Sequence, residues 1–359
     1  MKLVVFGLTV TSSWGNGHAT LWRALIRPLT RMGHRVVFFE RDVSWYANNR
    51  DALDIPGLEV IAYPSWDEVR ARATAELRDA DAAMVTSYCA DGAAASSLLL
   101  DSRVPARAFY DLDTPVTLDL LSRGEHPAWL PPNGLGGFDL VLSFTGGAAL
   151  TRLRDELGAR RVAPLYGSVD PDAHRPVPPV EAYRADLSYL GTYAEDRQAA
   201  LVRLFVEPAR RRPERRFVIG GAQYPGDFPW TPNIWFTRHM PPPEHPSFFS
   251  SSRLTLNVTR RAMAELGWCP SGRLFEAAAC GCPLLSDTWD GLEEFFTPGE
   301  DILTATDTED ALAALDLDDA ELRRIAARAR DRVLAEHSGA RRAAELEAAL
   351  QRAAQGVEA

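Results

Sequence analysis

Lysine is almost absent from this 359-residue sequence, since Lys2 is its one lysine among 39 basic side chains. We interpret this bias as the mark of a GC-rich bacterial genome and not of a function. Acidic residues outnumber basic residues by 49 to 39, which gives a formal net charge of −10. This charge argues against nonspecific binding to nucleic acid or to an anionic membrane surface.

Cysteine is also scarce, and the four residues Cys89, Cys269, Cys280 and Cys282 form no CxxC pair. Their spacing fits neither a zinc site nor a disulfide framework. We therefore expect reduced, buried thiols in a cytoplasmic protein.

No apolar run approaches the roughly 20 residues that a membrane-spanning helix needs. The N-terminal stretch MKLVVFGLTV is short and precedes polar turn residues, so it predicts a first strand rather than a signal peptide. We expect a soluble, cytoplasmic protein without a membrane span. The sequence leaves the oligomeric state open.

Short apolar runs alternate with helical periodicities along the whole chain. The runs are KLVVFGL, RVVFFE, LEVIAY, AAMVTS, ARAFYD and LVLSF, followed later by DLSYLGTY, RFVIGG, NIWFTR, RLTLNV, CPLLSD and DILTA. Apolar strands separated by helices indicate parallel sheets that are covered on both faces. The fold class is therefore predicted to be α/β, with two Rossmann-like doubly wound domains facing a cleft and C-terminal helices.

A proline-dense stretch without periodicity separates the two groups of strands and predicts a linker. The predicted segments are an N-terminal domain at 1–165, the linker at 166–183, a C-terminal domain at 184–335 and a C-terminal helix at 336–359. Because open parallel sheets bind ligands at the carboxyl ends of their strands, each domain is expected to hold one of two reactants.

The stretch WCPSGRLFEAAACGCPLLSD, from Trp268 to Asp287, predicts a buried helix that nevertheless carries two charged side chains. Ser271 is a candidate N-cap, and Arg273 lies in the first turn, where unpaired N–H groups favour a phosphate. Glu276 lies three residues later on the same face, and its carboxylate can accept two hydroxyl groups of a ribose. A second interpretation remains open, in which Arg273 and Glu276 simply pair with each other.

The segment PSGRLFEAAACGCPLLSDTWDGLEEFF resembles the C-terminal signature of GT-B glycosyltransferases, in particular the CgeB-like (spore maturation protein) group with its R-x-x-E-x-x-A-x-G pattern. The piece YGSVDPDAHRPV is similar to the turn with which many of these enzymes enter their C-terminal domain. The resemblance implies a nucleotide-sugar donor, a UDP-, GDP- or TDP-sugar, with its ribose on Glu276 and its diphosphate on Arg273. It also implies that no metal and no separate cofactor is needed.

The sequence departs from the retaining members of this group at one position. Those members carry two glutamates eight positions apart, and the partner of Glu276 would fall on Trp268. The nearby Glu265 is out of register. An inverting reaction is therefore favoured over a retaining one.

Further donor-binding candidates follow the strands of the second domain, where loops turn into helices. Glycines there permit close backbone approach, arginines suit a diphosphate, and carboxylates suit sugar hydroxyls. Solvated helix starts and turn aspartates explain the same residues equally well. The candidates are Gly191, Thr192, Arg197, Gly221, Asn257, Arg260, Asp287 and Asp290.

In the first domain, the stretch GNGHAT follows the first strand and resembles the glycine-rich turn of inverting GT-B enzymes. Gly15 and Gly17 permit a tight backbone there, and His18 can take a proton from an acceptor hydroxyl. Asp111 and Asp113, at the end of another strand, are candidate partners that would orient His18, and spacing does not choose between them. The alternatives are a capping or core role for His18 and a helix-capping role for Asp113.

These residues predict a glycosyltransferase that moves a sugar to a hydroxyl- or amine-bearing acceptor, with His18 as general base. One alternative is a nucleotide-sugar epimerase on the same scaffold. Another is a nucleotide-sugar-binding protein without catalysis. A dehydrogenase is a further alternative, because Glu40 ends the second strand.

Overall fold

The computed structural model describes residues 1–51 and 53–356. The chain divides into two compact units, one formed by Met1–Tyr166 with the C-terminal segment from Gly339, the other by Gly167–Ser338. Each unit contains a single parallel sheet with helices between its strands. The prediction of two doubly wound α/β domains is therefore confirmed.

The sheet of the first unit has seven parallel strands in the order β3-β2-β1-β4-β5-β6-β7. They are β1 (Lys2–Gly7), β2 (Arg35–Arg41), β3 (Leu58–Tyr63), β4 (Ala82–Thr86), β5 (Ala106–Asp111), β6 (Leu140–Ser143) and β7 (Val162–Pro164). The strand order reverses direction between β1 and β4. The loops that follow β1 and β4 therefore diverge at this point, which leaves a crevice at the carboxyl edge of the sheet.

The helices of the first unit cover both faces of this sheet. They begin with α1 (Gly17–Arg31), α2 (Ser44–Ala47), α3 (Trp66–Leu77), α4 (Gly92–Leu100), α5 (Thr114–Ser122) and α6 (Ala148–Leu157). Leu3 to Phe6 in β1 are fully buried, as expected for a strand with helices on both sides.

The sheet of the second unit has six parallel strands in the order β10-β9-β8-β11-β12-β13, with the reversal between β8 and β11. They are β8 (Leu187–Leu190), β9 (Phe217–Gly221), β10 (Ile234–Arg238), β11 (Thr255–Asn257), β12 (Leu284–Ser286) and β13 (Leu303–Thr304).

The α-helices of the second unit are α7 (Glu195–Leu201), α8 (Glu207–Arg211), α9 (His245–Ser250), α10 (Arg261–Leu266), α11 (Gly272–Ala279), α12 (Thr308–Leu315) and α13 (Asp319–Glu336). A π-helical turn, Val202–Val206, joins α7 to α8, and short 3-10 turns lie at Glu181–Tyr183, Pro242–Glu244 and Leu292–Glu294. The helix predicted from the Ser271 stretch is α11.

The last helix, α14 (Gly339–Ala354), returns to the first unit and packs on α1 and β5. A Cβ added at Gly339 would lie 2.0 Å from the Ala24 carbonyl oxygen, so only glycine permits this close approach. His34, which follows α1, also pairs with Glu347 on α14, with His34 Nε2 3.2 Å from a carboxylate oxygen of Glu347. The sequence placed this helix after the C-terminal domain as a segment of its own, 336–359, of which the last three residues lie outside the described ones.

The structure also differs from the predicted linker at 166–183. The described chain from Gly167 onwards belongs to the second unit, and the strand β7 lies immediately before the predicted linker. Two further observations concern the described residues. The four cysteines are free and buried, and no described helix has the length and apolarity to cross a membrane.

Candidate functional site

The crevice of the first unit brings His18 to Asp113. His18 lies in the first turn of α1, which Asn16 caps by accepting the His18 backbone N–H at 3.0 Å. Asp113 follows β5, and its Oδ2 lies 2.7 Å from His18 Nε2. A carboxylate oxygen only accepts, so Nε2 carries the hydrogen. In the neutral ring Nδ1 then keeps its lone pair, and this buried nitrogen has no hydrogen-bond partner among the described residues.

Asp113 thus uses its side chain for His18 and not for the helix. It occupies the N-cap position of α5, but its side chain makes no capping hydrogen bond. The histidine is 12% exposed and the aspartate 22%, so the pair is only partly shielded from solvent. Of the two aspartates that the sequence left open, the structure therefore places Asp113 beside His18.

Asp111 lies elsewhere, because it is the last residue of β5 and is fully buried. Its Oδ1 accepts the Asp113 backbone N–H at 3.2 Å, and its Oδ2 has no hydrogen-bond partner within the described chain. Burial raises the pKa of Asp111 to about 6. Its direct contact is with the backbone that presents Asp113, so the candidate role as direct partner of His18 is not supported.

Aromatic side chains border the His18 ring. The Tyr88 ring meets it edge-on, with 5.5 Å between centroids, and stacks on Trp129 at 4.2 Å. Tyr88 follows β4 and has a φ of 62°, a left-handed conformation that is unusual for a bulky residue. No local sequence pattern marks Tyr88, because backbone strain of this kind depends on tertiary contacts.

The loop between β1 and α1 is held by Glu40, at the end of β2. Its carboxylate is buried and accepts hydrogen bonds from the Thr9 hydroxyl at 2.9 Å and from the Val10 N–H at 2.7 Å. The hydroxyl of Thr11 is a further partner. Glu40 is therefore engaged in shaping the loop, and its position gives no support to the dehydrogenase alternative.

A Cβ added at Gly15 or Gly17 would meet no atom within 4 Å.

Helix α11 of the second unit holds Arg273 and Glu276 in a cluster with two histidines. Ser271 caps α11 by accepting the Arg273 backbone N–H at 3.3 Å, as the sequence predicted. Arg273 Nη1 contacts Glu276 Oε2, and it also lies 3.1 Å from His245 Nδ1. His174 Nε2 lies 3.9 Å from the same carboxylate oxygen.

Glu276 is ionised although its side chain is only 7% exposed. Burial by itself would raise the pKa of Glu276, but Arg273, His174 and His245 together hold it well below its usual range. Its described contacts, with Arg273 and with the two histidines, are all made by Oε2. Oε1 makes no hydrogen bond to any described residue, so it is the oxygen that can accept hydroxyl groups of a ligand.

His174, His245 and Glu276 also form a group whose potential metal-ligating atoms lie within 4.8 Å of one another. The guanidinium of Arg273 already contacts two of these atoms, Glu276 Oε2 and His245 Nδ1. A divalent ion would need the same atoms and would be repelled by this fixed cation. The cluster therefore fits a metal poorly while Arg273 remains in place.

The other donor-binding candidates fall into three groups. Gly191, Thr192 and Arg197 lie after β8, where Arg197 Nη1 contacts the Tyr189 hydroxyl and the Thr192 carbonyl, both at 3.3 Å. Arg260 pairs instead with Asp196, at 3.4 Å.

The second group is engaged in holding loops. Asp287 accepts both the N–H and the hydroxyl of Thr259, at 3.0 and 2.9 Å, and Asn257 donates to Ser286 Oγ at 3.1 Å. These bonds tie the end of β11 to the end of β12, and they occupy both carboxylate oxygens of Asp287 and the amide nitrogen of Asn257.

The remaining positions are set by backbone contacts. Gly221 approaches Gly191 so closely that an added Cβ would lie 2.0 Å from the Gly191 carbonyl oxygen. The Asp290 carbonyl accepts the Trp268 N–H at 2.7 Å, while the Asp290 side chain is exposed. Trp289, which precedes Asp290 in the chain, is buried beside Phe295 and belongs to the core.

Comparisons with known proteins agree with this fold. Residues 197–348 match a family model described as "Glycosyl transferase-like", which is less than half of the chain. A search of curated protein sequences found no match.

Several solved structures are similar over the full length. Sucrose-phosphate synthase from Thermosynechococcus elongatus has a TM-score of 0.69 at 14% identity, covering 98% of this chain and 99% of that chain. HepE from Anabaena, solved with UDP and glucose, has a TM-score of 0.65 at 15% identity and the same coverage. A DNA-modifying β-glucosyltransferase, solved with and without uridine diphosphoglucose, has a TM-score of 0.63 at 13% identity, covering 98% and 100%. The fold is that of the GT-B glycosyltransferases.

Proposed function

We propose that this protein is a glycosyltransferase that binds a nucleotide-sugar in its second unit and transfers the sugar to a hydroxyl- or amine-bearing acceptor. The observation that carries the proposal is the buried, ionised Glu276, with one oxygen held by Arg273 and the other without a described partner. This arrangement lies within the segment that matches the glycosyl transferase-like family model. Since structures of similar fold were solved with UDP or uridine diphosphoglucose, a UDP-sugar is the first donor to test.

The donor would bind through three features of α11. Glu276 Oε1 accepts hydroxyl groups of the ribose, and the guanidinium of Arg273 donates to the diphosphate. The first-turn N–H groups of α11 add the partial positive charge of a helix N-terminus. Together they stabilise the negative charge that develops on the departing diphosphate, without a metal ion.

The acceptor would be activated by His18 and Asp113. Nδ1 of His18 takes the proton from the acceptor hydroxyl while Nε2–H donates to Asp113, which stabilises the imidazolium that forms. The acceptor oxygen attacks the anomeric carbon as the bond from that carbon to the diphosphate oxygen breaks. A single displacement of this kind inverts the anomeric centre. Position 268 supports inversion, because the residue there is Trp268, with its Nε1 2.6 Å from Glu294, and not a carboxylate.

A nucleotide screen tests the donor site. UDP, GDP, TDP and ADP should differ in the rise of the melting temperature, and at least one should raise it, because a ligand of the native state stabilises that state. In calorimetry, Glu276→Ala should then bind the best nucleotide at least about tenfold more weakly than the wild type, since the substitution removes hydrogen bonds to the ribose.

Glu265→Ala is the matched control, because Glu265 lies on α10 and pairs on the surface with Arg261 at 3.5 Å. Its nucleotide affinity should equal that of the wild type. Failure of all four nucleotides to bind, or equal affinity of Glu276→Ala and wild type, contradicts the donor site. Incubation with donor alone separates transferase from epimerase, because an epimerase yields an isomeric donor without an acceptor.

A further inference from the structure

The cluster around Glu276 contains a histidine whose hydrogen bonds fix its tautomer. His245 begins α9, and its side chain is 2% exposed. Nε2 lies 3.2 Å from the carbonyl oxygen of Met240, which can only accept. The hydrogen is therefore on Nε2, and in the neutral ring Nδ1 is an acceptor.

The acceptor nitrogen of His245 is directed at Arg273. Nη1 of Arg273 has two N–H groups, of which one can donate to His245 Nδ1, at 3.1 Å, and the other to Glu276 Oε2. Two buried partners from different elements thus fix one end of the guanidinium. Its Nε and Nη2 make no hydrogen bond to the described residues, and the side chain as a whole is 36% exposed.

We propose that His245 is a positioning residue for the nucleotide-sugar diphosphate, because it orients Arg273 so that Nε and Nη2 face the ligand. This inference rests on the proposed function. His245 does not touch the donor itself, and it acts only through Arg273. A guanidinium that is fixed before binding loses less conformational freedom when the diphosphate arrives.

Protonation of His245 should disable this contact. An imidazolium has no lone pair at Nδ1, so it repels Arg273 and donates to Glu276 instead. The charged and titratable groups that face His245 are Arg273 and Glu276 on α11 and His174 before β8. Burial lowers the pKa of His245 below its ordinary 6.5, and Arg273 and His174 lower it further, while Glu276 raises it. The neutral, accepting form therefore prevails at pH 7, and it persists to a pH below 6.5 before acid removes it.

The test compares the binding affinities of UDP and uridine. If GDP or TDP binds best in the screen, that nucleotide and its nucleoside are used instead. His245→Phe should weaken the binding of UDP about tenfold and leave the affinity for uridine unchanged within about twofold, because uridine has no diphosphate. In an Arg273→Ala background, His245→Phe should have no further effect on UDP, since the two residues act as one unit.

A second variant covers the possibility that His245→Phe does not fold. His245→Asn keeps an amide oxygen that can accept from Arg273, and it does not titrate. It should retain UDP affinity closer to the wild type at pH 7. Where His245 of the wild type gains a proton, at a pH below 6.5, this variant should lose less affinity than the wild type. The titration of the UDP phosphate is common to both proteins and cancels in the ratio.

The outcomes separate this inference from the proposed function. A wild type that binds no nucleotide contradicts both. A wild type that binds UDP, with a folded His245→Phe of equal affinity, overturns the positioning role alone. Additive losses in the double variant, or equal losses for UDP and uridine, would each overturn it as well.

Discussion

Replacement of Asp111 by asparagine should stabilise the first unit at neutral pH by up to about 3 kcal/mol. Burial raises the pKa of Asp111 from 3.8 to about 6. Each pH unit of such a shift corresponds to about 1.4 kcal/mol, so the shift of about two units is worth about 3 kcal/mol at pH 7. Asparagine keeps the oxygen that accepts the Asp113 N–H and removes the buried charge.

The sign of the pH dependence follows from the raised pKa. The unfolded carboxyl loses its proton near pH 3.8 and the folded one near 6, so the wild type loses stability as the pH rises between these values. Asp111→Asn has no such group. The difference in free energy of unfolding, variant minus wild type, should therefore rise by up to about 3 kcal/mol between pH 4 and pH 7 and level off above pH 6.

Urea denaturation at pH 4, 5, 6 and 7 measures this difference, with the transition of the first unit identified as the one that shifts. Asp111→Ala is the matched control, because it also removes the charge but loses the acceptor oxygen. Its curve should run parallel to that of Asp111→Asn at a constant distance below it. A difference that stays flat or falls from pH 4 to pH 7 would refute the buried-carboxylate reasoning.

Three further predictions follow from the sites. Asp113→Asn should lower kcat at least about a hundredfold with UDP affinity retained, because His18 loses its orienting carboxylate, and an unchanged kcat in steady-state kinetics would remove the dyad. Gly221→Ala should lower the melting temperature clearly by circular dichroism, since its Cβ would lie 2.0 Å from the Gly191 carbonyl oxygen, whereas Gly226→Ala, with no atom within 4 Å, should match the wild type. Equal melting temperatures would contradict that close approach. Activity should persist in excess EDTA, and loss that a divalent ion restores would contradict a metal-free mechanism.

Much of the fold could be predicted from the sequence because parallel strands covered on both faces are continuous apolar runs. The strand β7 could not, since it has three residues, lies at the sheet edge and ends with Pro164. The packing of α14 against the first unit could not be predicted from the sequence either. An apolar stripe indicates that a helix packs, but it does not say against which unit.

The candidate site could be predicted only in its local part. Ser271, Arg273 and Glu276 lie within six residues, so helical spacing places them on one segment. His174 and His245 join them from distant parts of the chain, and no local pattern marks either residue. The choice of Asp113 over Asp111 was equally hidden, because it depends on which side chain the end of β5 buries.

The return of α14 has a consequence for biosynthesis. A ribosome releases the N-terminal segment first, yet the surface of α1 around Ala24 and Pro28 stays uncovered until the residues after Gly339 emerge. The second unit is complete earlier, at Ser338. Contacts this far apart in sequence form slowly, so a nascent chain of this protein should remain vulnerable to aggregation until the residues of α14 emerge.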